Sequence, residues 1–141
     1  MKEREDFIYI PKFNLNDILN SCENIKGQAV LTKKYFFIMP DKITYAIGMV
    51  NRDNYNKEYF DKTKNNLANT DLIEFETQMI SDLPEKYVIP WANFEKFEVN
   101  VGFFIFGGLR MKRKGWKITS AYIGNTNNRK TVKEFYEKIE K

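Results

Sequence analysis

The run Val88–Phe106, VIPWANFEKFEVNVGFFIF, constrains the fold more than any other part of the chain. It reads as strand almost throughout, yet Pro90 sits inside it without an N–H to donate to a ladder. That confines the segment to a sheet edge or to a break between two strands. Phe94, Phe97 and Val99 resume the apolar pattern after the break. Pro90-Trp91 is therefore predicted to be a strand-switching corner, with Trp91 packed as core beside Phe94 and Phe97.

A chain of 141 residues is long enough to bury a core of its own, and a single domain over 1–141 is expected. Aromatics make up 16%, too much bulk for a disordered chain. The longest uncharged apolar stretch, Val99 to Leu109, is too short to span a bilayer, and the opening MKEREDF lacks the apolar run of a secretion signal. A cytoplasmic protein is expected, with peripheral attachment to the inner membrane surface as one option. The absence of histidine removes imidazole bases and His-ligated metals, and one cysteine, Cys22, cannot form an internal disulfide or a thiolate cluster. Cys22 is expected to be a small buried side chain. The acidic pairs Glu74/Glu76 and Glu3/Glu5 show no apolar pocket that would raise a carboxyl pKa, Glu95 and Glu98 are expected on opposite sides of a strand, and the glycines match no phosphate loop. No catalytic residue, cofactor or metal site is predicted, and a non-enzymatic role is expected.

Along the chain, Leu15, Ile18, Leu19 and Cys22 recur at helical spacing behind Asn14, predicting a short N-terminal helix that ends near Gly27. Gln28–Met39 and Ile43–Met49 read as two strands of a hairpin turning at Pro40-Asp41-Lys42. Residues 51–83 form an insertion, polar at first, with a helical turn near Lys57–Thr63. Its second part, Asp71–Leu83, fits both helix and strand alternation; helix is preferred because the pattern stops before Pro84. Gly107-Gly108 reads as a bulge, sharp bend or close backbone approach. Leu109 and Met111 should face inward with Arg110 and Lys112 outward, Arg113-Lys114-Gly115 should turn, and Trp116–Tyr122 should return as a strand. After a loop at Gly124–Asn128, Thr131 and Glu134 form a capping box for an amphipathic helix bearing Val132, Phe135, Tyr136 and Ile139.

Three stretches together resemble the bacterial pleckstrin-homology-like (PH or GRAM-like) family. Gly27–Phe36 looks like its opening strand, Val88–Phe97 is similar to its Ile-Pro-aromatic corner, and Phe106–Ile123 followed by Thr131–Ile139 resembles its closing hairpin and helix. The resemblance implies an α+β fold: an antiparallel sheet curled into a half-open barrel with a C-terminal amphipathic helix. It further implies a binding or adaptor module that docks a protein partner or an anionic membrane surface.

Two features are candidates for that docking. Arg110, Lys112, Arg113, Lys114 and Lys117 cluster around one turn beside Trp116. Such a tip suits anionic headgroups, or a nucleic-acid backbone with tryptophan stacking a base, or it is a solvated hairpin whose charges deter aggregation. The basic first-hairpin loop of phosphoinositide binders has no counterpart in Pro40-Asp41-Lys42. Phe103–Phe106 is apolar on both faces, so either another segment covers it or Phe104 and Phe106 lie at a protein interface or ligand groove. A ligand-binding or enzymatic cup in the half-barrel is a further alternative.

Overall fold

The computed structural model describes residues 1–17, 19–45, 51–52, 57–103 and 106–139. Among these residues eight strands form one antiparallel sheet: β1 (Phe7–Asp17), β2 (Glu23–Thr32), β3 (Tyr35–Tyr45), β4 (Asn51–Arg52), β5 (Val88–Pro90), β6 (Phe94–Phe103), β7 (Phe106–Arg113) and β8 (Thr119–Ile123). The order is β4-β3-β2-β1-β8-β7-β6, with β5 pairing the free edge of β3. Three α-helices accompany it: α1 (Lys57–Asn66), α2 (Leu72–Asp82) and α3 (Thr126–Glu137). The architecture is α+β, a curled half-barrel closed by a C-terminal helix, as the sequence predicts at that level.

The first half of the chain differs from the expectation. Residues 14–17 are strand, not helix: Asn14, Leu15, Asn16 and Asp17 pair with Lys26, Ile25, Asn24 and Glu23 across β1–β2. The apolar spacing is satisfied by alternation instead, with Phe13 and Leu15 facing the core. Cys22 sits in the connecting turn at φ +57°, half-buried rather than buried.

The β2–β3 hairpin turns at Lys33-Lys34, not at Pro40. The Thr32 hydroxyl accepts from the backbone N–H groups of Lys34 (3.3 Å) and Tyr35 (3.1 Å) and closes that turn. Pro40 lies inside β3 opposite Gly27, where the register slips and leaves Asp41 as the extra residue. A bulge is where a strand tolerates a residue without an N–H. Gly27 is required there, because a Cβ would stand 2.3 Å from the Met39 carbonyl oxygen. Pro11 occupies a second bulge in β1, opposite Gln28, as the pairing jumps from Ile10–Ala29 to Phe13–Gly27.

The core has two layers. Inside the half-barrel, Phe36 meets Phe13, Trp91, Phe94 and Phe97 at centroid distances of 5.6–6.2 Å. Tyr136 of α3 packs on Phe97 at 4.4 Å and on Trp91 at 5.5 Å, sealing that layer. On the outer face of β3, Phe37 meets Phe75 of α2 at 5.6 Å, so Phe36–Met39 is buried on both sides. The insertion is thus a helical layer, with α2 capped by Asp71, whose carboxylate accepts from the N–H groups of Ile73 and Glu74.

Each of the helices α2 and α3 carries a buried charge that the apolar pattern does not signal. Glu76 is buried on α2 and accepts a 3.1 Å bond from the Thr32 hydroxyl; desolvation raises its pKa above 4.5, with Lys34 opposing the rise. Arg129 is completely buried. Its guanidinium donates to the carbonyls of Val101 (2.6 Å) and Ile123 (2.9 Å) and to the Thr126 hydroxyl, tying α3 to the ends of β6 and β8. Gly107 makes room for it, since a Cβ there would lie 2.5 Å from Arg129 Nε. The expected bulge falls across the ladder instead, between Asn100 and Phe103. The helix also begins five residues earlier than the predicted capping box: Asn125 is the cap, accepting from Asn128 N–H, while the Thr131 hydroxyl donates to the Asn127 carbonyl.

Arg129→Leu should cost about 3 kcal/mol, because it strands buried carbonyls; urea denaturation measures this, and an unchanged midpoint would refute the staple. Glu76→Gln keeps an acceptor for Thr32 and removes the buried charge. Because the native carboxyl titrates higher than the unfolded one, wild type loses stability as pH rises through and above 4.5. The variant should therefore melt about 2 °C higher at pH 7 and level with wild type at acidic pH; a gap that persists in acid would reject desolvation as the cause.

Candidate functional site

The predicted basic cluster divides into two groups. On the outer face of β7, Arg110 is exposed and stands in register opposite Glu98 of β6, while Lys112 ion-pairs with Glu95. Leu109 and Met111 point inward and are buried, as alternation predicts. Lys96 and Glu98 are themselves paired at 3.4 Å. This side of β7 is a charge-balanced wall, and its pairs are exposed and weak. At the last residue of the strand, Arg113 faces the other way. Its Nη1 donates to the Lys86 carbonyl (2.6 Å) and its guanidinium covers the Trp116 ring at 4.5 Å. Lys114 and Lys117 are exposed on the turn, which Gly115 completes at φ +79°. Trp116 is half-buried and precedes β8 rather than forming part of it.

Arg113, Lys114 and Trp116 form one wall of a cleft of about 700 Å³. The rest of the lining is Ile80 from α2, Leu83 at its C-cap, Val88, Ile89 and Pro90 from β5, and Glu85, Lys86 and Asn93. The local sequence explains the shape. Pro84 ends α2, residues Glu85–Tyr87 make a single 3-10 turn, β5 pairs briefly with β3, and Trp91–Asn93 makes a second 3-10 turn into β6. The Pro90-Trp91 corner is therefore observed with Trp91 buried, its indole N–H donating to the Thr32 carbonyl at 2.9 Å. The cleft is the outside of that corner.

Behind the cleft lies a polar knot. Asp17 and Glu23 face each other across the β1–β2 ladder, both buried, a like-charge placement that is unfavourable without compensation. Asp17 accepts from Asn20 (2.7 Å), Ser21 (3.0 Å) and Thr119 (3.3 Å). Glu23 takes the Lys86 ammonium at 3.3 Å and the Tyr87 hydroxyl at 3.4 Å. Burial pushes the Arg113 guanidinium down to about 10, partly offset by the Asp17 charge and by Tyr87. The cation therefore persists at neutral pH, although it is held largely away from water.

Sequence reading located Arg113, Lys114 and Trp116 but missed Ile80, Lys86 and the Asp17–Glu23 pair. The pair was hidden because residues 14–22 were assigned to a helix. The signal for Lys86 was present in Pro84-Glu85-Lys86-Tyr87, a charged step between two prolines at a helix end. Of the proposed apolar interface, Phe104 lies outside the described residues, as does the side chain of Phe106; neighbouring Phe103 is 68% exposed. No helix among the described residues is long and apolar enough to cross a membrane. Comparison with protein-family models, curated proteins and solved structures finds no match to this chain.

Asp17→Ala should release Asn20, Ser21 and Thr119 together and lower stability by about 2 kcal/mol. Faster amide exchange at Ser21 and Lys117 would localise the effect, since the Ser21 N–H bonds the Asp17 carbonyl and the Lys117 N–H bonds Asn20. Global loosening without that local signature would contradict this role.

Proposed function

We propose that this chain is a PH-like, non-enzymatic binding module that seats a segment of a protein partner in the cleft between α2, the Pro90-Trp91 corner and the β7–β8 turn. The carrying observation is the mixed lining of one cleft: aliphatic Ile80, Leu83, Val88 and Ile89 together with the cationic and aromatic Arg113, Lys114 and Trp116. Partly apolar clefts with a few fixed polar groups are the usual form of a recognition site. The PH-like assignment is supported by the strand order, the corner and the closing helix.

The distribution of cations favours a protein partner over an anionic membrane or a nucleic acid. Polybasic membrane contacts use about four to eight clustered Lys or Arg side chains. Here Lys112 is engaged by Glu95, Arg110 lies on the outer wall and Arg113 is turned into the cleft. A nucleic-acid track would likewise need a continuous run of free cations. Ile80, nearly half exposed at the mouth, fits an apolar contact better than either alternative.

Selection from a random peptide library displayed on phage, followed by amide-shift mapping, tests this reading. Selected peptides should perturb Ile80, Lys86, Ile89 and Trp116, and Ile80→Glu should weaken them by about tenfold or more while the protein stays folded. Peptides that map elsewhere would overturn the proposal. So would tight, salt-sensitive binding of anionic vesicles or single-stranded DNA that Ile80→Glu leaves intact.

A further inference from the structure

Arg113 is an unusual residue for a cleft wall. Only one of its N–H groups has an acceptor among the described residues, the Lys86 carbonyl, and no carboxylate there pairs with it directly. The polar-knot carboxylates are engaged elsewhere: Asp17, whose charge acts on Arg113 without an ion pair, accepts from Asn20, Ser21 and Thr119, and Glu23 is held by Lys86 and Tyr87. Trp116 covers one face of the guanidinium at 4.5 Å, which fixes its plane. The result is a planar donor fork, partly stripped of water, held beside a ring and a carbonyl where the lining of the cleft meets the polar knot. Burial lowers its pKa to about 10, and the Asp17 charge and Tyr87 offset only part of that loss.

We infer that Arg113 recognises a carboxylate on the docked partner: an aspartate or glutamate side chain whose apolar neighbour lies against Ile80, Leu83 and Ile89. This rests on the protein-docking reading above. Charge complementarity supports it: with Lys86 paired to Glu23, the cleft lining still carries Arg113 and Lys114 against Glu85. A guanidinium fork matches a carboxylate with two parallel bonds, and such charge-assisted bonds are stronger where water is excluded. The aliphatic lining selects a peptide over a phosphate headgroup, because a headgroup would leave the exposed Ile80 wet. Stacking on Trp116 also means that little side-chain order is lost when the acid arrives.

A double-mutant cycle tests the contact. Peptides selected on the wild-type protein are measured with their acidic residue intact and changed to the amide, against wild type, Arg113→Gln and Arg113→Lys, with Trp116 emission as the binding readout. The inference expects the acid-to-amide change to weaken binding to wild type by about tenfold or more and to have little effect on Arg113→Gln. Arg113→Lys, which keeps the charge without the fork, should fall between them, and it carries the cycle if Arg113→Gln does not fold. Peptides that bind the cleft with the same acid-to-amide loss on every protein would sink this inference while leaving the docking reading intact. An absence of cleft-binding peptides would sink both. Competition of the selected peptides by vesicles of anionic lipid would assign the fork to a headgroup and also overturn it.

Discussion

Two prolines set the course of the sheet. Pro11 and Pro40 lie on the strands flanking β2, each at a bulge, and the bulges fall at neighbouring positions of β2: the β3 bulge at the Lys26-Gly27 step and the β1 bulge opposite Gln28. Bulges increase local twist and bend a ladder, so neighbouring bulges at one level bend three strands together. Gly27 lets β3 approach within a distance that any side chain would block. Gln28 then holds the bend from outside, accepting from Tyr9 at 2.7 Å and donating to Asp41 and Asp61. The Tyr9 hydroxyl, desolvated beside those two carboxylates, has its pKa pushed up to about 12 and remains a donor. The rest depends on this bend, because it carries β1 round to pair with β8 and lets α3 close the half-barrel.

From that curl follows the division between core and site. Phe36 belongs to the barrel interior and Phe37 to the layer under α2, adjacent residues that serve opposite faces. The helical insertion is thereby made integral, and its last turn delivers Ile80 and Leu83 to the corner. Arg129 performs the matching task at the other end, replacing missing strand partners with side-chain donors at the ends of β6 and β8. A buried cation bound mainly by carbonyls is costly to misplace, which makes it a device for fixing position.

The corner at Pro90-Trp91, the inward Leu109 and Met111, the Arg113–Gly115 turn, the helical nature of Asp71–Leu83 and the apolar stripe of the last helix were legible because each depends on neighbouring residues alone. The failures have a common cause. Asn14–Cys22 carries spacing compatible with both periods, and only pairing with β2 selects the strand. Pro40-Asp41-Lys42 has the composition of a turn, yet Thr32 supplies a stronger turn at Lys33-Lys34 and a bulge absorbs the proline. The early start of α3 reflects Asn125 as a cap, a choice that required knowing where β8 ends.

The amino-acid pattern alone determined an α+β chain of aromatic strands with one enforced corner and a closing amphipathic helix. Periodicity, proline chemistry and burial of apolar surface are local demands that survive in any arrangement. Which cations would stand free was decided only in three dimensions. Adjacent basic residues part company there: Lys112 meets Glu95 across a ladder, while Arg113, on the opposite face of the strand's last step, lies over Trp116 in a cleft lined also by a helix some thirty residues away in sequence. Electrostatic partners and desolvation depend on what is nearby in space, and the chain's order does not specify that until the sheet has curled.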